Sequence, residues 1–397
     1  MRKFIRLTMF PLTICFLLLL IACEENSGNG DEPLVASHEV KIDSPLAHNK
    51  IEKLPSTAYK EDPKSISITA VGDILIHEKV YEDAYSQGGY DFMPMFREVE
   101  QYLDDTTITI ANQETMIGGT DIGLSGYPAF NSPYEIGDTL KEVGVDVVSI
   151  ANNHSLDRGE EAVQNAISHW EQIDMMYTGA YKNKKDSDRI RVLETDEGID
   201  VAFLSYTYGT NGIPVPEGKD YLVNLIERKA LVEDIKKAKQ AGDVLILSLH
   251  FGTEYEQMPN QEQIDLVQLA ADQEVDAVIG HHPHVLQPVD WVEGKNGNET
   301  FAAYSLGNFL SGQDEFYNQI GGILKFDIQE SGQKEEREFE VVNPRFLPTY
   351  VTFSQWADYR VVPMHQVNER EMPSPELHYN RVKEHMSRWV PELEFIE

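Results

Sequence analysis

Val275-Asp276-Ala277-Val278-Ile279-Gly280-His281-His282-Pro283-His284 is the stretch on which the reading of the fold turns. A short apolar run that ends at a glycine fits a strand buried on both faces. Three imidazoles in the four positions that follow place metal-ligand chemistry at its end. The alternative, a turn that happens to be His-rich, has to gather three of only twelve histidines into four positions. Which of them ligate is open at this point: His282 and His284 could point one way, with His281 packing or hydrogen-bonding behind them.

Four further clusters repeat the arrangement. Residues 66–71 lead into Gly72-Asp73, with His77 four residues on. Residues 107–111 lead into Asn112-Gln113-Glu114, residues 145–151 into Asn152-Asn153-His154, and residues 244–249 into His250 with Glu254. Residues 201–206 read as one more buried strand. Helix-like stretches at 132–143, 158–172, 226–240 and 260–274 separate the strands, and this alternation predicts an α/β domain. In such folds side chains just past the carboxyl ends of parallel strands meet in one crevice, so clusters far apart in sequence become neighbours.

The donor types suit a two-metal centre. Carboxylates supply anionic oxygens, Asn a neutral oxygen, and His nitrogens suit zinc, manganese or iron. Two such cations can bind a phosphoryl group and generate hydroxide. Asp73 is expected as a bridging or primary ligand, the alternative being an N-cap for a helix starting near Ile76. Glu114 could serve a second metal, with Asn112 either in the site or in a plain turn. Asn153 would ligate, and His154 would stay off the metals as general acid. Plain turn chemistry with Ser155 or Asp157 as a cap is the alternative. His77 is either a ligand or a helix-surface histidine. A Gly-x-Ser-x-Gly elbow, a Walker loop and His-Glu-x-x-His are absent from the sequence. A glycosidase carboxylate pair would leave the His clusters unexplained.

The N-terminus carries a basic start and an apolar run over residues 7–21, the pattern of an export signal. Leu20-Ile21-Ala22-Cys23 matches a lipobox, so residues 1–22 are expected to be removed and Cys23 lipidated. An uncleaved anchor needs a longer apolar run, about 20 residues. Cys15 lies in the signal, so the mature chain holds no thiol to pair or to bind metal. Residues 23–64 have the composition of a disordered tether. Removing Arg2, Lys3 and Arg6 takes the formal charge from −34 to −37, which speaks against nucleic acid as a partner. After Pro288 the pattern turns to strands, at 289–292, 300–305, 322–328 and 339–347, which are expected to close a sandwich. Residues 374–393 read as a surface helix with Leu377, Val382, Met386 and Trp389 on one side.

Ala70-Val71-Gly72-Asp73, Asn112-x-Glu114, Ala151-Asn152-Asn153-His154, His250-Phe251-Gly252-x-Glu254-Tyr255, Gly280-His281-His282-Pro283-His284 and Tyr304-Ser305-Leu306-Gly307-Asn308-Phe309 together resemble the motifs of the CapA family of poly-γ-glutamate capsule synthesis. The resemblance implies a four-layer α/β/β/α sandwich of the metallo-dependent phosphatase type over residues 65–350, with 351–397 as a C-terminal extension. It implies Asp73, Glu114, Asn153, His250, His282 and His284 as ligands of divalent Mn, Zn, Fe or Mg. His154 would be the acid, and His77, Asn112, Asn152, Glu254, His281 and Asn308 would play supporting roles. The chain departs from the phosphoesterase pattern in three places. His77 lies four residues from Asp73 rather than two, Glu114 replaces the usual bridging Asp, and the last histidine motif has one extra residue.

Three functions are then expected in competition: a capsule-type polymer synthesis lipoprotein with a metal-binding crevice, a non-catalytic assembly or export factor of a membrane synthase, and a general surface metallophosphoesterase. The expected location is the extracytoplasmic face of the cell membrane, anchored through Cys23, as in Gram-positive bacteria. The expected partners are polymer-synthase subunits and an anionic polymer or phosphoester.

Overall fold

In the computed structural model, residues 63–332 and 337–397 are described. The expected signal, Cys23 and nearly all of the tether lie outside them. The core strands are apolar on both faces because both faces are covered. In Val244–His250, Val244 and Ile246 enter a core between two sheets, while Leu245, Leu247 and Leu249 face a helix layer. Full burial of each such side chain contributes roughly 1.5–3 kcal/mol, so the run is held in place from two sides.

The first sheet has the order Ala357–Pro363, Glu338–Ser354, Ile320–Ser331, Ser65–Leu75, Ile108–Gln113, Val147–Ser149, Met176–Thr178. The second runs Leu286–Glu293, Glu299–Leu306, Ala277–His281, Val244–His250, Asp200–Thr207, Arg191–Glu194. Ile66, Ile68, Ile108 and Ile110 of the first sheet meet Phe203, Ile246, Ile279 and Phe301 of the second in the inner core. Outside the first sheet pack the helices Glu135–Glu142 and Gly159–Gln172, with Leu140, Val163 and Trp170 inward. Outside the second pack Arg228–Ala241 and Gln261–Asp272, through Leu231, Ile235, Leu266 and Val267. This is the four-layer α/β/β/α sandwich expected from the sequence.

Within each sheet the strands that carry the polar clusters are parallel: Ser65–Leu75 with Ile108–Gln113 and then Val147–Ser149, and Val244–His250 with Ala277–His281. Their carboxyl ends therefore open on one side. The chain also crosses between sheets there, from Glu299–Leu306 through Gly307, at φ 64°, into Asn308–Ser311, which pairs Asn308 opposite Asp73. Two glycines permit this closeness. A Cβ on Gly72 would overlap the Gly307 carbonyl, and one on Gly280 the Tyr304 carbonyl.

Two sequence expectations are corrected. Residues 351–397 are no extension: Ala357–Pro363 extends the first sheet, and Val362, Met372, Tyr379, Val382, Met386, Val390 and Leu393 join the inner core. The last helix is Pro375–Met386, with Tyr379, Val382 and Met386 buried; Leu377 and Trp389 are exposed, the latter because the helix has already ended. The short strands Met176–Thr178, Arg191–Glu194, Asn308–Ser311 and Ala357–Pro363 were not anticipated, since most of them are too short to show a period.

Candidate metal centre

Asp73 sits within its strand, not at a helix start: the following helix, Glu78–Ala84, has His77 at its N-cap. The Asp73 carboxylate is fully buried. Its Oδ1 accepts from Asn112 Nδ2 at 2.8 Å, and its Oδ2 lies 3.1 Å from His284 Nδ1 and 3.3 Å from the His282 amide nitrogen. Burial alone would raise this carboxyl, but the imidazoles of His281 and His284 hold it well below the usual range, so it is ionised.

Glu114, one residue past Ile108–Gln113, is also fully buried, and neither carboxylate oxygen has a hydrogen-bond partner. Its Oε1 lies 3.5 Å from His250 Nε2 and 3.6 Å from His284 Nε2. Burial, reinforced by the charge of Asp73, pushes its carboxyl well above the ordinary value. His250 and His282 are held neutral by burial and by neighbouring imidazoles, His282 down to about 3. The approach of His250 to Glu114 is therefore not an ion pair. His284 is the exception: burial would lower it, but Glu114 and Asp73 raise it to about 9.

Two sets of ligand atoms result, Glu114 with His282 and His284, and Asp73 with Glu114 and His250, each gathered within 4.8 Å. Glu114 is common to both, the position the sequence reading had offered to Asp73. His250 Nε2 also contacts Asn153 Oδ1 at 2.9 Å, which brings Asn153 into the group. All six expected ligands thus converge. His282 and His284 reach Glu114 because the backbone leaves the strand at φ 98° and φ 59°. Positive φ at a non-glycine residue costs on the order of 1–3 kcal/mol and is retained where the surroundings enforce it. His281 stays in the strand, with Nδ1 3.3 Å from Asp73 Oδ1.

The supporting residues divide by contact. Asn308 faces His284 Nδ1 with Oδ1 at 3.1 Å, while its Nδ2 donates to Gln313 Oε1 and the Asn318 carbonyl. Asn152 Oδ1 accepts from the His154 amide, and its Nδ2 donates to the Gln113 carbonyl, tying two strand ends together. His77 is spent on local structure: its Nδ1 contacts the Leu75 carbonyl at 3.0 Å, and burial lowers it to about 4. Glu254 is exposed at the rim and sends its negative field toward Glu114 and His284.

His154 is 6% exposed, and its Nδ1 is 2.7 Å from Asp157 Oδ2. A carboxylate oxygen accepts, so Nδ1 carries the hydrogen of this contact and Nε2 is left without it. Neither Ser155 nor Asp157 caps the helix Gly159–Gln172, whose N-cap is Arg158. Asp157, Asn211 and Tyr208 were missed as site residues. Asn211 Oδ1 accepts from Asn153 Nδ2 at 3.2 Å, and Tyr208, half exposed, packs its ring 4.6 Å from that of His282. Asp157, three residues after His154 and just before a helix, was the one signal available in the sequence.

The donors fit divalent cations. Both carboxylate oxygens of Glu114 and the Nδ1 atoms of His250 and His282 have no protein partner, and a mixed carboxylate, amide and imidazole set suits Mn, Fe or Zn.

A four-layer sandwich with such a centre at the strand ends defines a protein of the metallo-dependent phosphatase fold class. Residues 67–313, more than half of the chain, match the model of the family described as bacterial capsule synthesis protein PGA_cap, and the chain belongs to that family. The capsule biosynthesis protein CapA of Bacillus anthracis is 28% identical over 299 residues, covering 71% of this chain and 68% of its own. The PGA biosynthesis protein CapA of Bacillus subtilis (strain 168) is 24% identical, covering 71% and 72%. Among solved structures, the calcineurin-like phosphoesterase YfkN of Bacillus subtilis aligns with TM-score 0.42 and 15% identity, over 72% of this chain and 90% of that one.

Proposed function

We propose that the protein is a lipid-anchored, extracytoplasmic component of poly-γ-glutamate or related capsule-type polymer synthesis or export, with a divalent-metal centre that acts on a phosphoester. The observation that carries the metal centre is the convergence of Asp73, Glu114, Asn153, His250, His282 and His284 on one buried spot with unmatched donor atoms. The capsule role is supported by family membership and by the names of the Bacillus relatives.

Bound there, divalent cations would supply Lewis-acid polarisation of a phosphoryl oxygen. Asp73, Glu114 and His250 would hold one, and Glu114, His282 and His284 the other. Asn308 fixes the His284 ring, and Asp157 fixes the His154 tautomer. With Nδ1–H held by Asp157, a His154 ring that also carries a proton on Nε2 would be placed to give it to a leaving oxygen. Cys23 supplies the membrane anchor, and membrane synthase subunits are the partners of this reading.

The test pairs elemental analysis with hydrolysis of bis(p-nitrophenyl) phosphate. Wild type should carry metal, and Asp73→Ala and His284→Ala should lose it. His154→Gln should keep the metal and lose hydrolysis by about a hundredfold or more. A folded, metal-free wild type would overturn the centre. A metal-loaded wild type that hydrolyses no phosphoester, yet co-purifies with synthase subunits, would replace catalysis with the assembly role.

A further inference from the structure

The helix Pro375–Met386 and the turn after it carry His378, Arg381, His385 and Arg388. Spacings of three, four and three residues put such positions on one helix face. All four line a cavity of about 220 Å³ whose other wall includes Gln257, Leu286 and Tyr317. His385 is part of the wall itself, since its Nε2 donates to the Leu286 carbonyl at 2.9 Å. The His378 ring packs against Phe316 at 4.4 Å. The two arginines are exposed and, among the described residues, pair with no carboxylate.

This cavity adjoins a wider one of about 670 Å³, the two sharing Gln257, Val285 and Tyr317. The wider cavity reaches the metal centre's rim. Val285 follows His284, Tyr255 donates its amide hydrogen to the Pro283 carbonyl at 2.7 Å, and the Asn318 carbonyl holds Asn308, the partner of His284. The basic helix face lies beyond the span matched by the family model, which ends at residue 313.

We propose that the helix cavity is a carboxylate subsite, in which Arg381 and Arg388 hold free α-carboxylates of a γ-linked glutamyl polymer that extends toward the metal centre; this rests on the polymer reading above. Two guanidiniums without a carboxylate partner among the described residues, on a chain of charge −34, mark a place where an anion is favoured over its surroundings. Glu384 is the one carboxylate lining the cavity, and Asp314 and Glu315 line the wider one. The polymer is therefore gripped at the helix and at the centre, and repelled from the stretch between them.

The experiment measures binding of fluorescein-labelled γ-linked decaglutamate to the full chain by anisotropy, with inorganic phosphate as competitor. The variants are R381E/R388E, the milder R381Q/R388Q, and K236E as a charge control far along the sequence. The expected result is at least about tenfold weaker binding in R381E/R388E, a smaller loss in R381Q/R388Q, little change in K236E, unchanged Tm in all, and weakening with salt. Asp73→Ala should retain the helix-dependent part of the binding. Wild-type binding that R381E/R388E leaves intact would overturn the subsite and spare the polymer reading. No binding by wild type would overturn both. Binding to the arginines that phosphate displaces at equal charge concentration would show a general anion site and overturn the glutamyl assignment.

Discussion

The same parallel strands treat acidic residues in opposite ways at their two ends. Where strands begin, Asp146, Asp243 and Asp276 each stand one residue before a strand and accept a backbone amide from the neighbouring one: Thr109 at 2.9 Å, Asp200 at 3.0 Å and Leu245 at 2.8 Å. There the carboxylate completes the sheet. Where strands finish, Asp73 and Glu114 are buried deeper and face imidazoles, and Glu114 accepts no hydrogen bond at all. A buried carboxyl without a hydrogen bond costs about 1–3 kcal/mol, so at Glu114 the leaving end gives up stability to keep donor atoms free. What separates these acids from the structural ones is the company they keep: Asp73 takes the His282 amide but is otherwise faced by imidazoles and Asn112, and Glu114 has no donor at all.

The comparison can be broken first at the leaving ends. Asp73→Ala or Glu114→Gln should weaken Mn2+ binding, followed by titration calorimetry, by at least about a hundredfold, while for Glu114→Gln the Tm of the metal-free protein stays or rises because the buried carboxyl made no hydrogen bond to lose. A marked fall in Tm would make Glu114 structural after all. Asn308→Ala removes one of the two groups that hold His284, together with its bonds to Gln313 and the Asn318 carbonyl, and the same titration should show a loss of about ten- to a hundredfold. Unchanged affinity would mean that Asp73 alone orients the ring.

The entering ends should give the reverse. Asp146→Ala leaves the Thr109 amide without its acceptor, and chemical denaturation should report about 1–3 kcal/mol of lost stability with metal content unchanged. The smallest effect is one of pH. Burial raises the Asp276 carboxyl from 3.8 to about 6, the Leu245 amide opposing in part. Between those values the folded state binds a proton that the unfolded chain has released, so this residue's contribution to stability is present below about pH 4 and lost as pH rises through 6. Asp276→Asn, which keeps an acceptor for Leu245, should flatten that slope by about 1 kcal/mol per pH unit. An unchanged slope would place the titration elsewhere.

Much of the centre was legible because strand ends are legible. Apolar runs at 244–249 and 275–279 mark β structure, and the polar residue after each has one place to go in a parallel sheet. Asn211 was not legible as a site residue, since an Asn before Gly reads as a turn, and the spacing of Asp157 from His154 was outweighed because a carboxylate before a helix reads as a cap. Residues 351–397 were misjudged as an appendage because Tyr379, Val382 and Met386 make a modest stripe that any surface helix could carry.

The sequence by itself determined which residue types stand at the end of each buried strand, because alternation of apolar and polar residues is local information. The tertiary structure decided the order of the strands, the crossing at Gly307 that sets Asn308 against His284, and the positive φ angles that turn His282 and His284 toward Glu114. Those depend on contacts between residues tens to hundreds of positions apart. Local propensity carries no record of them, and the packing of two sheets against each other selects them.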